Sequence, residues 1–380
     1  MVSDTSQPDP SQWLTTPAAL DQWLEDHQGQ PIGIDTEFER ISTYYPIPAL
    51  VQLAYPGEFY LVEPQVVEQS KRFRELLADS GQPKLLYAMS EDVELFRSWL
   101  GVPPSGMIDL QLGAALGGFG FSVGYARIVE TVLGTTLDKD ETRSDWLARP
   151  LSAAQENYAL NDVRYLHPLW QHISAALQER QLSEALIEES ERFCNELNAS
   201  VPDEEMYLKM RGGWRLNPIQ QGVLKKLAAW REKQSRERNR PRGRIVSDTG
   251  LIGLAERLPD SLPSLSRVAD VPPPVVRRYG EILLELIREG QTSPLSSDQM
   301  ITQPLSVAEQ DRFKKAKKLF RVKAEAQDIP IELVAPRRKL EQLIHEIRDH
   351  NRTGDSVLLK GWRERLLAEN RIELEKLLSQ

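Results

Sequence analysis

The chain has 380 residues, 40% of them hydrophobic and 27% charged, which excludes wholesale disorder; at ~150 residues per domain it sets an expectation of two or three domains. Its formal net charge of -9, from 56 acidic and 47 basic residues, argues against a nucleic-acid partner only if the charge is spread evenly. A single cysteine, Cys194, excludes an internal disulfide framework and a Cys-based zinc site and suits a reducing cytoplasm. No apolar run approaches the ~18 residues of a membrane span, and the polar, acidic Met1–Pro10 has no signal-peptide core.

The first ~200 residues alternate between helix and strand patterns. Thr16-Pro17 opens a helix running to His27, with proline at the first helical position. A strand follows from Ile32 to Phe38. Leu50–Tyr55 and Phe59–Val62 flank Pro56-Gly57-Glu58 and read as strand–turn–strand. A helix over Val66–Asp79, a buried strand at Leu85–Ala88, a helix over Glu91–Leu100 capped by Ser90, and a short extended piece at Met107–Asp109 come next. Ser152-Ala153-Ala154-Gln155 has the form of a capping box, opening a helix that continues toward Gln178 with a kink or break at Pro168. This is an α/β domain. From Ser183 onward the pattern is helical, with breaks at Arg211-Gly212-Gly213 and at Gln291–Pro304. These breaks delimit two helical modules of similar length.

The charge follows the same division. Residues 1–200 carry 30 acids and 13 bases, a net of -17, whereas residues 201–380 carry 26 and 34, a net of +8. An acidic module joined to basic ones suggests that the basic part faces a polyanion. Lys225–Arg244 holds nine basic residues and two acids, with Trp230 interleaved; Arg312–Lys323 holds seven basic residues and no acid. The first cluster (Lys225, Lys226, Arg231, Arg236, Arg240, Arg242 and Arg244) is the candidate phosphate-gripping surface, while the second reads as a solvated helix face.

Three acidic motifs stand out. Strand alternation puts Asp35 and Glu37 on one face of a strand flanked by Ile32, Ile34 and Phe38. Two such carboxylates repel each other and resist burial without a cation, and hard oxygen donors suit a divalent metal. Asp92 stands in a first helical turn, where the helix dipole alone also accounts for an acid. Asp162 follows Tyr158 by four residues, so phenol and carboxylate share a helix face. The five histidines show no ligand spacing with these acids. Gly117-Gly118-Phe119-Gly120 lacks the Lys-Ser/Thr of a phosphate loop and reads as a mobile connection, so no nucleotide cofactor is expected.

In this order the motifs resemble the DEDD exonuclease superfamily in its tyrosine-containing branch, most closely the ribonuclease D family. The matching pieces are Asp35-Thr36-Glu37-Phe38, with Arg40, Thr43-Tyr44-Tyr45-Pro46 and Leu50-Val51-Gln52; Ser90-Glu91-Asp92-Val93-Glu94; and Tyr158-Ala159-Leu160-Asn161-Asp162-Val163. One departure is Tyr87, where many relatives carry histidine, at a position that is not a metal ligand. Leu224-Lys225-Lys226-Leu227, Trp230-Arg231, Arg236, Arg240-Pro241-Arg242-Gly243-Arg244 and Asp248 resemble the HRDC helical module. Leu359-Lys360-Gly361-Trp362-Arg363 marks a divergent second copy.

The resemblance implies an α/β ribonuclease H-like exonuclease domain at residues 1–205, its mixed sheet flanked by helices. Two all-α HRDC-like domains follow, at 212–292 and 303–380. It further implies that Asp35, Glu37, Asp92 and Asp162 hold two divalent ions, Mg²⁺ or alternatively Mn²⁺, with Asp35 bridging them and Glu37 orienting the attacking water. Tyr158 hydrogen-bonds that water. Phe38, Tyr44 and Tyr45 are placed to stack terminal bases, with core packing the other reading for Phe38. The implied activity is 3′→5′ exoribonuclease action on tRNA precursors or other structured RNA, releasing nucleoside 5′-monophosphates, in the cytoplasm and without a membrane partner. A DNA exonuclease and a non-catalytic nucleic-acid-binding scaffold are the alternatives.

Overall fold

The computed structural model describes residues 12–137, 144–350, 356–368 and 371–378, so Met1–Pro10 lies outside the described residues. The chain divides into two compact units. One comprises Met1–Glu39, Pro48–Asn198 and Leu305–Gln380, the other Arg40–Ile47 and Ala199–Pro304.

The first unit opens with helix α1, Pro17–Asp26, capped by the Thr16 hydroxyl, which accepts from the Ala19 amide at 3.2 Å. Strands β1 (Ile32–Glu39), β2 (Ile47–Tyr55), β3 (Glu58–Val62), β4 (Lys84–Leu86) and β5 (Met107–Asp109) form one sheet in the order β3-β2-β1-β4-β5. β1 runs parallel to β4, with Ile32 opposite Lys84, and β4 parallel to β5; β2 and β3 form an antiparallel hairpin, so the sheet is mixed. A side chain at Gly33 of β1 would bring its Cβ to 3.1 Å from Ala54 Cβ and 3.2 Å from Leu166 Cδ1. Glycine there lets a helix lie directly on the central strand.

Several predicted elements are divided more finely than the sequence suggests. The expected helix over Val66–Asp79 is two helices, α2 (Pro64–Gln69) and α3 (Lys71–Ala78). Ser70 separates them because its hydroxyl both caps α3, accepting from Phe73 N at 3.0 Å, and donates to Asp21 at 2.5 Å. The strand expected at Leu85–Ala88 occupies Lys84–Leu86. Helix α4, Ser90–Leu100, is not capped by Ser90, which lies inside its first turn. Asp109, remote in sequence, instead accepts from the Ala88 and Met89 amides at 3.0 and 3.3 Å.

Helices α5 (Leu110–Leu116) and α6 (Tyr125–Leu133) follow. Between them, in the otherwise exposed Gly117–Gly120, half-buried Phe119 lies against the core and a Cβ on Gly118 would meet Arg180 Nη1 at 2.3 Å. The Ser152–Gln155 capping box forms as expected and opens α7, Ala153–Arg164. The helix then breaks at Tyr165 and resumes as α8, Leu166–Glu179, before α9, Ser183–Asn198. Pro168 explains the position of the break: it has no N–H for the Arg164 carbonyl, and its ring crowds that carbonyl.

The second unit is helical: α10 (Pro218–Glu237), α11 (Arg242–Ile245), α12 (Asp248–Arg257), α13 (Leu262–Leu265) and α14 (Pro273–Gln291) enclose Leu224, Leu227, Leu251, Leu254, Leu283 and Ile287. At the α10–α14 crossing a Cβ on Gly290 would fall 2.4 Å from Val223 Cα, so only glycine permits this approach. The Arg40–Ile47 segment belongs to this unit. Asn239 Oδ1 accepts from the amides of Tyr44 and Tyr45, each at 3.0 Å.

The chain then returns to the first unit with α15 (Val307–Ala326), α16 (Ile331–Val334), α17 (Arg337–His350), α18 (Gly361–Leu367) and α19 (Arg371–Leu378). Phe320, Leu333 and Leu340 join Ala114, Leu169, Ile173 and Leu186 in one hydrophobic cluster. An ion pair pins this return, with Glu189 of α9 1% exposed and Arg363 of α18 2% exposed. Arg363 grips the Glu189 carboxylate with both terminal nitrogens and donates to the Val334 and Leu333 carbonyls at 2.8 and 2.7 Å. Trp362 Nε1 donates to the same carboxylate at 2.9 Å.

Burial raises the Glu189 carboxyl, but the hydrogen bonds and charges of Arg363 and Arg192 outweigh it and leave it pushed down to about 2. A folded pKa below the unfolded value stabilises above the unfolded pKa, and that stabilisation is lost as pH falls through the folded one. Arg363→Met is therefore expected to destabilise the unit by about 3–5 kcal/mol, because it strands a buried carboxylate. In Glu189→Gln, the loss of thermal stability between roughly pH 5 and pH 2 should be shallower than in the parent. Thermal melts across that range check both.

Candidate active site

The central strand delivers the first two acids. Ile32 and Ile34 face the core, while Asp35 and Glu37 project half-buried from the other face of β1, as alternation requires. Helix α7, which packs against β1 and β3, brings Asp162 to them. Donor oxygens of Asp35, Glu37 and Asp162 all lie within 4.8 Å of one another. Tyr158, one turn before Asp162, donates a hydrogen bond to it, and the Trp146 ring lies 5.9 Å from the phenol. Asp92, buried in the first turn of α4, joins less directly: its carboxylate accepts from the buried Thr36 hydroxyl at 2.5 Å.

The electrostatics follow from this crowding. Burial, then the charges of Asp92, Asp162 and Glu37, hold the Asp35 carboxyl well above the usual carboxylate range. Burial and the charges of Asp162 and Asp92 push Glu37 up to about 9. Burial raises Asp162 to about 7 against the Tyr158 hydrogen bond, and raises Asp92 to about 6 against the Thr36 hydrogen bond. No arginine or lysine among the described residues forms an ion pair with any of the four. Clustered hard-oxygen donors without an internal countercharge are the donor set of a divalent cation, so these residues fit such an ion.

Two residues that the sequence reading did not single out belong to the site. Thr36, the residue between the two β1 acids, ties that strand to Asp92; its only sequence signal was a hydroxyl inside an apolar strand. Tyr125, whose phenol donates to the Asn161 carbonyl at 2.9 Å, feels the charges of Asp162 and Asp35. Tyr87 lies against Tyr125 with ring centroids 5.3 Å apart, and its hydroxyl donates to the Val123 carbonyl.

The candidate nucleic-acid residues separate into two groups. Arg231 is 4% exposed and donates to the Val246 carbonyl at 2.9 Å and to Asp248 at 2.7 Å, which makes it a packing residue rather than a phosphate ligand. Arg236 pairs with Asp203 and Glu232, and Arg242 pairs with Glu232 while its guanidinium lies 5.1 Å from the Tyr44 ring centre. Tyr44 donates its hydroxyl to the same Glu232, so its ring is held within the helical unit instead of presented to a base. By contrast Lys226, Arg240, Arg244 and Tyr45 are exposed, although Lys226 pairs with Glu289 at 3.2 Å. Lys225 is half-buried over the Tyr207 ring, and Phe38 is half-buried on β1.

Known proteins resemble the chain along most of its length. Residues 11–178 match the family described as 3′-5′ exonuclease, residues 220–287 the HRDC domain, and residues 310–371 the ribonuclease D C-terminal HRDC domain. The chain is 36% identical over 360 residues to ribonuclease D of Pseudomonas paraeruginosa, covering 94% of this chain and 96% of that one. It is 33% identical over 367 residues to ribonuclease D of Escherichia coli, with 94% and 96% covered. The crystal structure of Escherichia coli RNase D, described as an exoribonuclease involved in structured RNA processing, superposes with a TM-score of 0.86 at 32% identity, covering 97% of this chain and 98% of that one. No helix among the described residues is long and apolar enough to cross a membrane. The chain belongs to the ribonuclease D family and is a 3′→5′ exoribonuclease.

Proposed function

We propose that the enzyme trims the 3′ ends of tRNA precursors and other structured RNAs one nucleotide at a time, using two divalent ions, Mg²⁺ or alternatively Mn²⁺, held by Asp35, Glu37, Asp92 and Asp162. The observation that carries this reading is the cluster of Asp35, Glu37 and Asp162 within 4.8 Å, which no arginine or lysine among the described residues pairs with. When bound, the ions would supply Lewis-acid polarisation of the phosphate and a water acidic enough to attack near neutral pH. In this reading Asp35 would contribute to holding both ions and Glu37 would orient the water. Tyr158 positions the water through its hydroxyl, because an ordinary phenol, with a pKa of about 10, is a poor base at neutral pH. Water attacks the phosphorus of the last phosphodiester, the bond to the preceding 3′ oxygen breaks, and that oxygen takes up a proton. A nucleoside 5′-monophosphate leaves. Arg240 and Arg244, exposed and without an ion-pair partner among the described residues, would meet phosphates of the strand, and Tyr45 and Phe38 its bases.

Asp35→Asn is expected to lower kcat by about 10³-fold, roughly 4 kcal/mol of transition-state stabilisation, while RNA affinity stays near that of the parent. Excess EDTA should stop hydrolysis completely; full activity in EDTA would rule the reading out. Thr36→Val should reduce kcat by about 10-fold or more through loss of the Asp92 hydrogen bond, with little change in KM. Digestion of a 3′-extended tRNA should give a ladder of single-nucleotide steps ending at the mature terminus and nucleoside 5′-monophosphates as the sole small products. Internal cuts or nucleoside 3′-monophosphates would overturn it.

A further inference from the structure

Strand β2 carries an amide into the interior. Gln52, in the middle of the strand, is 0% exposed, and neither its Nε2 nor its Oε1 has a hydrogen-bond partner among the described residues. Its neighbours Leu50, Val51, Leu53 and Ala54 are all buried and apolar. A primary amide brings both donor and acceptor, and enclosing it unpaired costs stability that an apolar side chain of the same shape would not. Packing therefore does not account for a glutamine here.

The sheet fixes what Gln52 lies beside. Val51 and Leu53 belong to the core that holds Ile32 and Ile34, so Gln52 turns to the opposite face, the face of Asp35 and Glu37. β1 and β2 are neighbours joined by residues 40–46 alone, too few for the crossover that a parallel pair needs, so they run antiparallel. A Cβ on Gly33 would lie 3.1 Å from Ala54 Cβ, which sets these two residues opposite each other. Two residues on along β1 and two back along β2, Asp35 stands opposite Gln52. Opposed residues have Cβ atoms about 4.5–5.5 Å apart, a separation that a glutamine amide spans to reach a carboxylate. On its other side Gln52 pairs with Leu61 of β3, which packs with Leu50, Leu160 and Tyr158.

Two of the other acids have side-chain donors, Asp92 from the Thr36 hydroxyl and Asp162 from Tyr158. Asp35 accepts from the Thr36 backbone amide, and a carboxylate has room for further donors. Carboxylates that hold metal ions are in turn held by outer hydrogen bonds. We infer that Gln52 is the positioning residue of Asp35: its Nε2 donates to the carboxylate as that group turns to hold a divalent ion, and fixes the rotamer in which it does so. This deepens the metal-ion reading above and rests on it. Gln52 itself touches neither ion nor RNA.

The test sets metal affinity against stability. Mn²⁺ is titrated calorimetrically into the full chain without RNA, and the metal-free chain is melted in EDTA. Gln52→Met keeps the length of the side chain and removes both polar ends. It should bind Mn²⁺ about 10- to 100-fold more weakly, while its metal-free Tm stays at or above the parent's. At limiting Mn²⁺ its kcat should fall with KM for RNA unchanged, and saturating Mn²⁺ should restore most of the loss. Leu61→Ala, which removes packing beside Gln52, should do the reverse, with a lower Tm and parental Mn²⁺ affinity. Parental affinity in Gln52→Met overturns the inference. So does a large fall in its metal-free Tm or a failure to fold, because the amide would then be partnered in the metal-free chain. An equal loss of affinity in Leu61→Ala overturns it as well, by making the effect one of packing. A parent that binds no Mn²⁺ would remove the metal-ion reading itself, and this inference with it.

Discussion

Burying a carboxylate away from water is the constraint on which the rest of the molecule turns, and the chain meets it differently in different places. Glu189 is enclosed by Arg363, Arg192 and the Trp362 indole. Glu232 is enclosed by Arg242, Arg236 and the Tyr44 hydroxyl. Asp109 uses the backbone amides of Ala88, Met89 and Gln111. Each finds hydrogen-bond partners within the protein, although burial still holds the Asp109 carboxyl above the usual range. The cluster of Asp35, Glu37 and Asp162 is the contrast: its neighbours are further carboxylates and a phenol, and the resulting upward shifts register a charge deficit that the fold does not remedy. Among the described residues no arginine or lysine pairs with these three acids, and such a donor set fits a divalent cation.

The fold makes that cluster possible by attaching its members to separate rigid elements. β1 carries two acids on one face, α7 brings the third with its tyrosine, and α4 brings Asp92 through Thr36. Gly33 lets α8 lie on β1, and the Tyr165 break directs α7 and α8 separately. The C-terminal helices contribute to this same unit, since their core is continuous with α5, α8 and α9. Loss of the Glu189–Arg363 pair would therefore loosen the scaffold behind the site without touching any catalytic group.

What was legible in the sequence was what depends on neighbours in the chain. The Ser152–Gln155 capping box, the helix start at Thr16-Pro17 and the alternation placing Asp35 with Glu37 all hold in the structure, because each involves residues at most three positions apart. Features decided by distant partners were not legible. Ser70 splits a helix because Asp21 is there to receive its hydroxyl, and Ser90 lies inside its helix, one residue past the Met89 start, where the distant Asp109 takes the Ala88 and Met89 amides. Pro168 was read as a break near itself; its effect lands on the carbonyl of Arg164, so the helix breaks at Tyr165, ahead of the proline.

Charge shows the same limit most clearly. The net of +8 over residues 201–380 points to a polyanion, yet it counts every arginine equally. Arg231, Arg236 and Arg363 direct their charge at Asp248, Asp203 and Glu189, and Arg242 at Glu232. Pairs of this kind neutralise both partners locally and contribute little field at the surface, so they do not attract a polyanion. The cations able to meet a phosphate are those whose carboxylate partner is missing, such as Arg240 and Arg244. Net charge therefore marks the half of the chain suited to a polyanion, whereas which of its cations stay available depends on which acids the fold brings within reach of which arginines.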